Sequence, residues 1–115
     1  MIVARNRLSK DEVKIVFEKG RRYGGASGAI IFLKDSKRKY AVVVPKKLLN
    51  SAVKRNSLRR KIYTFLRQRM PSILPGHLVI LPNQKVTTLD FRGISHELHT
   101  LLFNARLLSP DAKMI

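Results

Sequence analysis

Seven carboxylates, three histidines and 24 Lys plus Arg are the residues of this 115-residue chain that could do chemistry, and their spacing decides which. The acids are Asp11, Glu12, Glu18, Asp35, Asp90, Glu97 and Asp111, so the stretch from Ser36 to Leu89 holds none while carrying thirteen basic residues. A metal-dependent nuclease needs several convergent carboxylates, and general acid–base catalysis needs two groups in one cleft. Here the acids avoid the basic half. Asp11 and Glu12 sit together at a helix start, where capping and dipole compensation account for them. His96 and His99 at i, i+3 could face one metal, but His77 is the only other histidine and no third or fourth ligand stands nearby in sequence. No serine lies in a nucleophile elbow, and RYGGASG lacks both the Lys-Ser/Thr ending and the following helix of a phosphate loop. With no cysteine there is neither a disulfide framework nor a thiolate metal site. The expectation is a binding protein with no catalytic and no metal-ligating residue of its own.

What it binds is set by charge. The formal net charge is +17, and a compact protein with that imbalance repels itself unless a partner supplies anions. Nine basic residues fall between Lys46 and Arg69 without one acid. That is the electrostatic footprint of a polyanion binder, in which each Lys or Arg placed on a phosphate releases condensed counterions. Lys54 and Arg55 occupy the first turn of a predicted helix, where backbone amides already present positive potential, and Lys46 and Lys47 approach from just upstream. An anion belongs there. Asn56, Arg60 and Arg67 continue the contact along the helix, and phosphate charge alone does not separate DNA from RNA.

The elements that position these residues follow from period and caps. Ser9 and Glu12 form a capping box opening a short first helix, with Val13, Val16 and Phe17 on one apolar stripe and Gly20 at its end. Residues 21–27 are Gly-rich and read as irregular. GAIIFLK and KYAVVV read as two strands of a hairpin around DSKR, with Pro45 marking the end of the second. The second helix runs from about Ala52 to Arg69, capped by Asn50 or Ser51. Its Leu58, Ile62, Phe65 and Leu66 face the core, and Asn56, Arg60, Tyr63 and Arg67 form an outward polar and aromatic stripe. HLVILP is a third strand, and Asp90 caps a last helix with Phe91, Ile94, Leu98, Leu101, Leu102 and Leu108 on one side. The order is αββαβα with room for one extra short strand: an α+β two-layer sandwich. Residues 1–115 form one domain, with about 5–108 as its structured core. The apolar runs AIIFL, AVVV and LVIL are strand-sized, and the amino terminus has no long apolar stretch, so a soluble, cytoplasmic protein without a membrane partner is expected.

AVVVPKKLLNSAVKRNSLRRKIYTFLRQ resembles the strand, Lys-Lys connection and Arg-Asn helix of the bacterial ribonuclease P protein subunit. RNRL followed by FEKG, then PGHLVILP and the closing leucine-rich helix, match that family in order and spacing from about Arg5 to Leu108. The resemblance implies a left-handed βαβ crossover, which is rare. It also implies two partners, a catalytic ribonuclease P RNA and precursor tRNA, with no protein partner required. Magnesium ions bound mainly by the RNA perform the hydrolysis that removes the 5′ leader, so the protein binds and the RNA cuts. Catalytic-RNA contact falls on Lys46, Lys47, Lys54, Arg55, Asn56, Arg59 and Arg60, with Arg67 added by the helix pattern. A cleft for the single-stranded leader falls on Val13, Phe17 and Phe32, where base stacking on aromatic faces would act. The sequence departs from the family in three places: Ser57 stands where a third Arg-Asn-Arg residue is usual, LLNS makes a longer connection without the usual glycine, and Val13 replaces an aromatic. The alternatives are a ribosomal protein, or another basic RNA- or DNA-binding protein with no nuclease role.

Overall fold

A computed structural model of the chain describes residues 4–109. Helix α1 spans Lys10–Lys19 and opens with both halves of the expected capping box: the Ser9 hydroxyl accepts from Glu12 N, and the Glu12 carboxylate accepts from Ser9 N at 2.8 Å. Strands β1 (Arg21–Gly25), β2 (Gly28–Lys34) and β3 (Lys39–Val42) follow, then helix α2 (Ala52–Arg69), strand β4 (Gly76–Pro82) and helix α3 (Phe91–Asn104). The sheet order is β1-β2-β4-β3, with β3 parallel to β4 and the other pairs antiparallel.

Two expectations about the strands change. The Gly-rich stretch expected to be irregular is strand β1, the extra strand, paired with β2 through a two-residue Ala26-Ser27 turn. Its sequence shows no apolar alternation because only Tyr23 packs inward, while Arg21, Arg22, Gly24 and Gly25 are exposed. Gly28 makes this hairpin possible: at φ 140° its absent Cβ would lie 2.2 Å from Leu81 O of β4. The second change is that β2 and β3 do not form a hairpin. β4 inserts between them because GHLVILP is apolar on both faces, so the central place buries more of it than an edge would.

Strand alternation then sorts side chains into two cores. Ile30, Tyr40, Val42, Leu78 and Ile80 pack with Leu58, Ile62, Phe65 and Leu66 of α2 and with Ile94, Leu98 and Leu102 of α3. On the other face Ile31, Ala41 and Val79 pack with Val16 of α1 in a smaller core. The α+β class stands, and α1 adds cover on the second sheet face to the expected two layers. Leu108 lies past the end of α3 instead of on it, in a bridge with Ile73. The helix closes at Arg106, whose φ of 60° turns the chain so that Leu107 N donates to Leu102 O and Arg106 N to Phe103 O.

Candidate nucleic-acid interface

Helix α2 has the bounds its pattern predicts, with Ser51 as the cap accepting from Lys54 N. No acid stands in its first turn, and among the described residues none of its cations lies within ion-pair distance of a carboxylate. The Asn56, Arg60 and Arg67 side chains are exposed along one edge of the helix, Arg59 is half-buried with its guanidinium donating to Asn56 Oδ1, and Lys46, Lys47 and Lys54 are exposed at the amino-terminal end. Like charges held this close without counter-charge are tolerated where a polyanion completes the field.

Arg55 of the predicted set and Tyr63 of the expected outward stripe have structural roles. Arg55 folds back, donating from Nη1 to Leu49 O at 2.7 Å and to Asn50 O at 3.0 Å. It ties down the long LLNS connection and so fixes the approach of Lys46 and Lys47 to the helix. Tyr63, expected to face outward, is buried; its hydroxyl accepts from Val42 N at 3.2 Å, which docks α2 onto β3. The inward arc of α2 is wide enough to take it beside Ile62. Its ring is covered by the Arg7 guanidinium, 4.9 Å from the ring centre. Arg7 is held there by a bridge to Tyr40 along the open edge of β3, with Leu8 N donating to Tyr40 O. Sequence reasoning missed Arg7, and only the long-range pairing of that segment with β3 reveals it.

The expected leader cleft is divided. Val13 is half-buried against the smaller core, and Phe17, one turn on, is 47% exposed on the same helix. Phe32 is on the opposite sheet face, packed on the larger core with its ring against Gly76, where an added Cβ would come within 2.4 Å. This corrects the grouping of Val13, Phe17 and Phe32, and its cause is parity: Ile31 points to α1, so Phe32 cannot. Leu33 takes the α1 side instead, with Val43 and Leu81 half-buried around it.

The pKa of Glu12 is held down to about 2 by its bond from Ser9 N and by Lys39 Nζ, 2.9 Å away. His96 and His99 do not converge: His96 is exposed, whereas His99 is buried with Nδ1 3.1 Å from Arg69 Nη1. Burial, then Arg69 and His96, push its pKa down, so it accepts from Arg69 as neutral imidazole. The Tyr40 hydroxyl is buried without a partner, and burial pushes its pKa up to about 12. Among the described residues no group of three or more His, Asp or Glu could hold a metal ion. No described helix is long and apolar enough to cross a membrane.

The sequence model of the family described as Ribonuclease P matches residues 3–106. A ribonuclease P protein component of a Picosynechococcus strain is 29% identical over 99 residues, covering 84% of this chain and 85% of the relative. One from a Synechococcus strain is 29% identical over 116 residues, covering 94% and 87%. Among solved structures, the RNase P protein from Staphylococcus aureus superposes with a TM-score of 0.81 at 18% identity, over 90% of this chain and 98% of that one. The Thermotoga maritima RNase P protein gives 0.76 at 24%, over 85% and 96%. With the family's sequence model matched over residues 3–106 and the overall fold shared with these solved structures, this chain belongs to the ribonuclease P protein family.

Proposed function

We propose that this chain is the protein subunit of ribonuclease P, binding the catalytic RNA through the α2 surface and assisting removal of the 5′ leader from precursor tRNA. The observation that carries it is the acid-free helix α2, whose cations have no carboxylate partner among the described residues. In this reading Lys46, Lys47 and Lys54 gather phosphates at the amino-terminal end, where free backbone amides of the first turn add to the field. Asn56, Arg59, Arg60 and Arg67 continue the contact, and Arg7 extends it beside Tyr63. Arg55 is a positioning residue for the connection. The exposed Phe17 on α1 offers a stacking face for a leader base, with Val13 beside it; Phe32 takes no part.

The RNA and its magnesium ions carry the hydrolysis, and the protein's share is affinity and placement of the substrate. Its working place is the cytoplasm, where precursor tRNA is made.

Reconstitution with a bacterial ribonuclease P RNA at low magnesium tests the reading. The expected result is tighter precursor-tRNA binding and restored 5′ processing; a protein that supplies neither overturns it. In the same system Arg60→Gln should lower the slope of log affinity against log salt by about one unit, as the loss of one phosphate contact does.

A further inference from the structure

The strongest unassigned feature lies at the opposite end of α2 from Lys54, about 24 Å away at 1.5 Å per residue. There, beside Met70 where the helix ends, a cavity of about 430 Å³ is lined by Arg5, Asn6, Lys37, Arg38 and Lys39. Four cations converge on it, and its lining contains no acid.

Their engagements differ. Lys39 is neutralised by Glu12. Arg38 is built in: its Nε donates to Ile73 O at 2.9 Å, and its own carbonyl accepts from Asn6 Nδ2 at 2.8 Å. Compensation of the helix carboxyl end explains a cation near Met70, but Arg67 and Arg69 of the last turn already supply that, and Arg38 serves the carbonyl just beyond. Arg5 and Lys37 are exposed, and neither side chain makes a hydrogen bond or ion pair among the described residues. The nearest acid in sequence, Asp35, feels the charge of Lys37 but forms no ion pair with it; its carboxylate accepts from Lys37 N at 3.0 Å, lies 3.7 Å from His77 Nε2 and lines a different cavity with Phe32 and Pro75. A rigid Arg38 fork with two uncommitted cations at its rim matches a tetrahedral dianion or a phosphodiester. The α2 surface leads to it through Arg7 on Tyr63, two residues from Arg5.

We infer that this cavity is a second, separate phosphate site that takes a backbone phosphodiester of RNA and anchors it at the far end of α2. The inference rests on the function proposed above and adds to it a contact outside the predicted set.

The test is the double variant Arg5→Gln/Lys37→Gln, with the charge-keeping pair Arg5→Lys/Lys37→Arg as control, both checked for an unchanged thermal midpoint. Binding is measured against salt in two arms: the protein with ribonuclease P RNA, and the reconstituted holoenzyme with leader-bearing precursor tRNA. The double Gln variant should lower the salt slope by about one unit, which is about tenfold in affinity at 0.1 M salt, and the charge-keeping pair should not. A drop in the first arm assigns the phosphate to the catalytic RNA; a drop confined to the second assigns it to the precursor. If neither slope moves while Arg60→Gln lowers its own, the cavity is not a phosphate site and the proposed function stands. If the wild-type chain binds ribonuclease P RNA no better than an unrelated RNA of equal length, both fall.

Discussion

The two faces of the sheet are built to different standards. On the α2 and α3 side, alternate residues of β2, β3 and β4 pack with two helices, and Ile62, Leu66, Leu78 and Ile94 are fully buried. On the α1 side a single ten-residue helix covers Ile31, Ala41 and Val79, leaving Leu33, Val43 and Leu81 half-buried and Phe17 exposed. The first face holds the fold and fixes α2 so that its cations point outward in a set array. The second face keeps apolar area near solvent. Rigid charge presentation and accessible apolar area are thus assigned to opposite sides of one sheet.

Core deletions should break this contrast most strongly. Leu66→Ala is expected to cost about 3–4 kcal/mol, whereas Val16→Ala in the smaller core should cost about 2, both read by denaturant unfolding. Equal costs would mean that the two faces contribute alike. The phenylalanines give a finer separation. Phe32→Ala should cost about 2 kcal/mol of stability and leave leader affinity unchanged. Phe17→Ala should leave stability within about 0.5 kcal/mol while weakening binding of leader-bearing precursor by about 1–3 kcal/mol, a difference visible as lost preference over leaderless tRNA.

Parity is also where the sequence stops being legible. The extent of helix α2 is legible because Ser51, the Leu58-Ile62-Phe65-Leu66 period and Pro71 are all local signals, although Asn50 competes as cap and Tyr63 turns inward against its pattern. Whether Phe32 joins α1 depends on which of Ile31 and Phe32 faces that helix, and two adjacent large apolar residues carry no such mark. The place of β4 between β2 and β3 depends on pairing across more than forty residues, for example Phe32 with Leu78. β1 was hidden because its partner supplies the apolar side chains. Of the interface, the cations were plain in the sequence, but Arg55's turn back to Leu49 O and Arg7's seat on Tyr63 are tertiary facts.

Smaller effects sharpen the α1 side and the end of α3. The Glu12 carboxyl titrates near 2 when folded and near 4.5 when free, so its stabilisation is full above about pH 4.5 and is lost as pH falls toward 2. Glu12→Gln keeps a cap acceptor but drops the Lys39 pair, and should cost about 0.5–1 kcal/mol at pH 7, with the gap to wild type closing by pH 2. Arg106→Gly removes a side chain from a left-handed position and should raise stability by about 1 kcal/mol, seen as a higher thermal midpoint with RNA binding unchanged.

The seat of Arg7 on the rim of the sheet has a consequence for the protein before it meets RNA. β3 is an outermost strand, and an uncovered strand of Tyr40, Ala41 and Val42 is a template on which another chain could add its own. The Arg7–Leu8 segment pairs with that strand at Tyr40, and the arginine leaves a positive charge beside it. The opposite rim, β1, is short and carries Arg21, Arg22 and two glycines. Both margins of the sheet therefore set positive charge against the addition of a further strand.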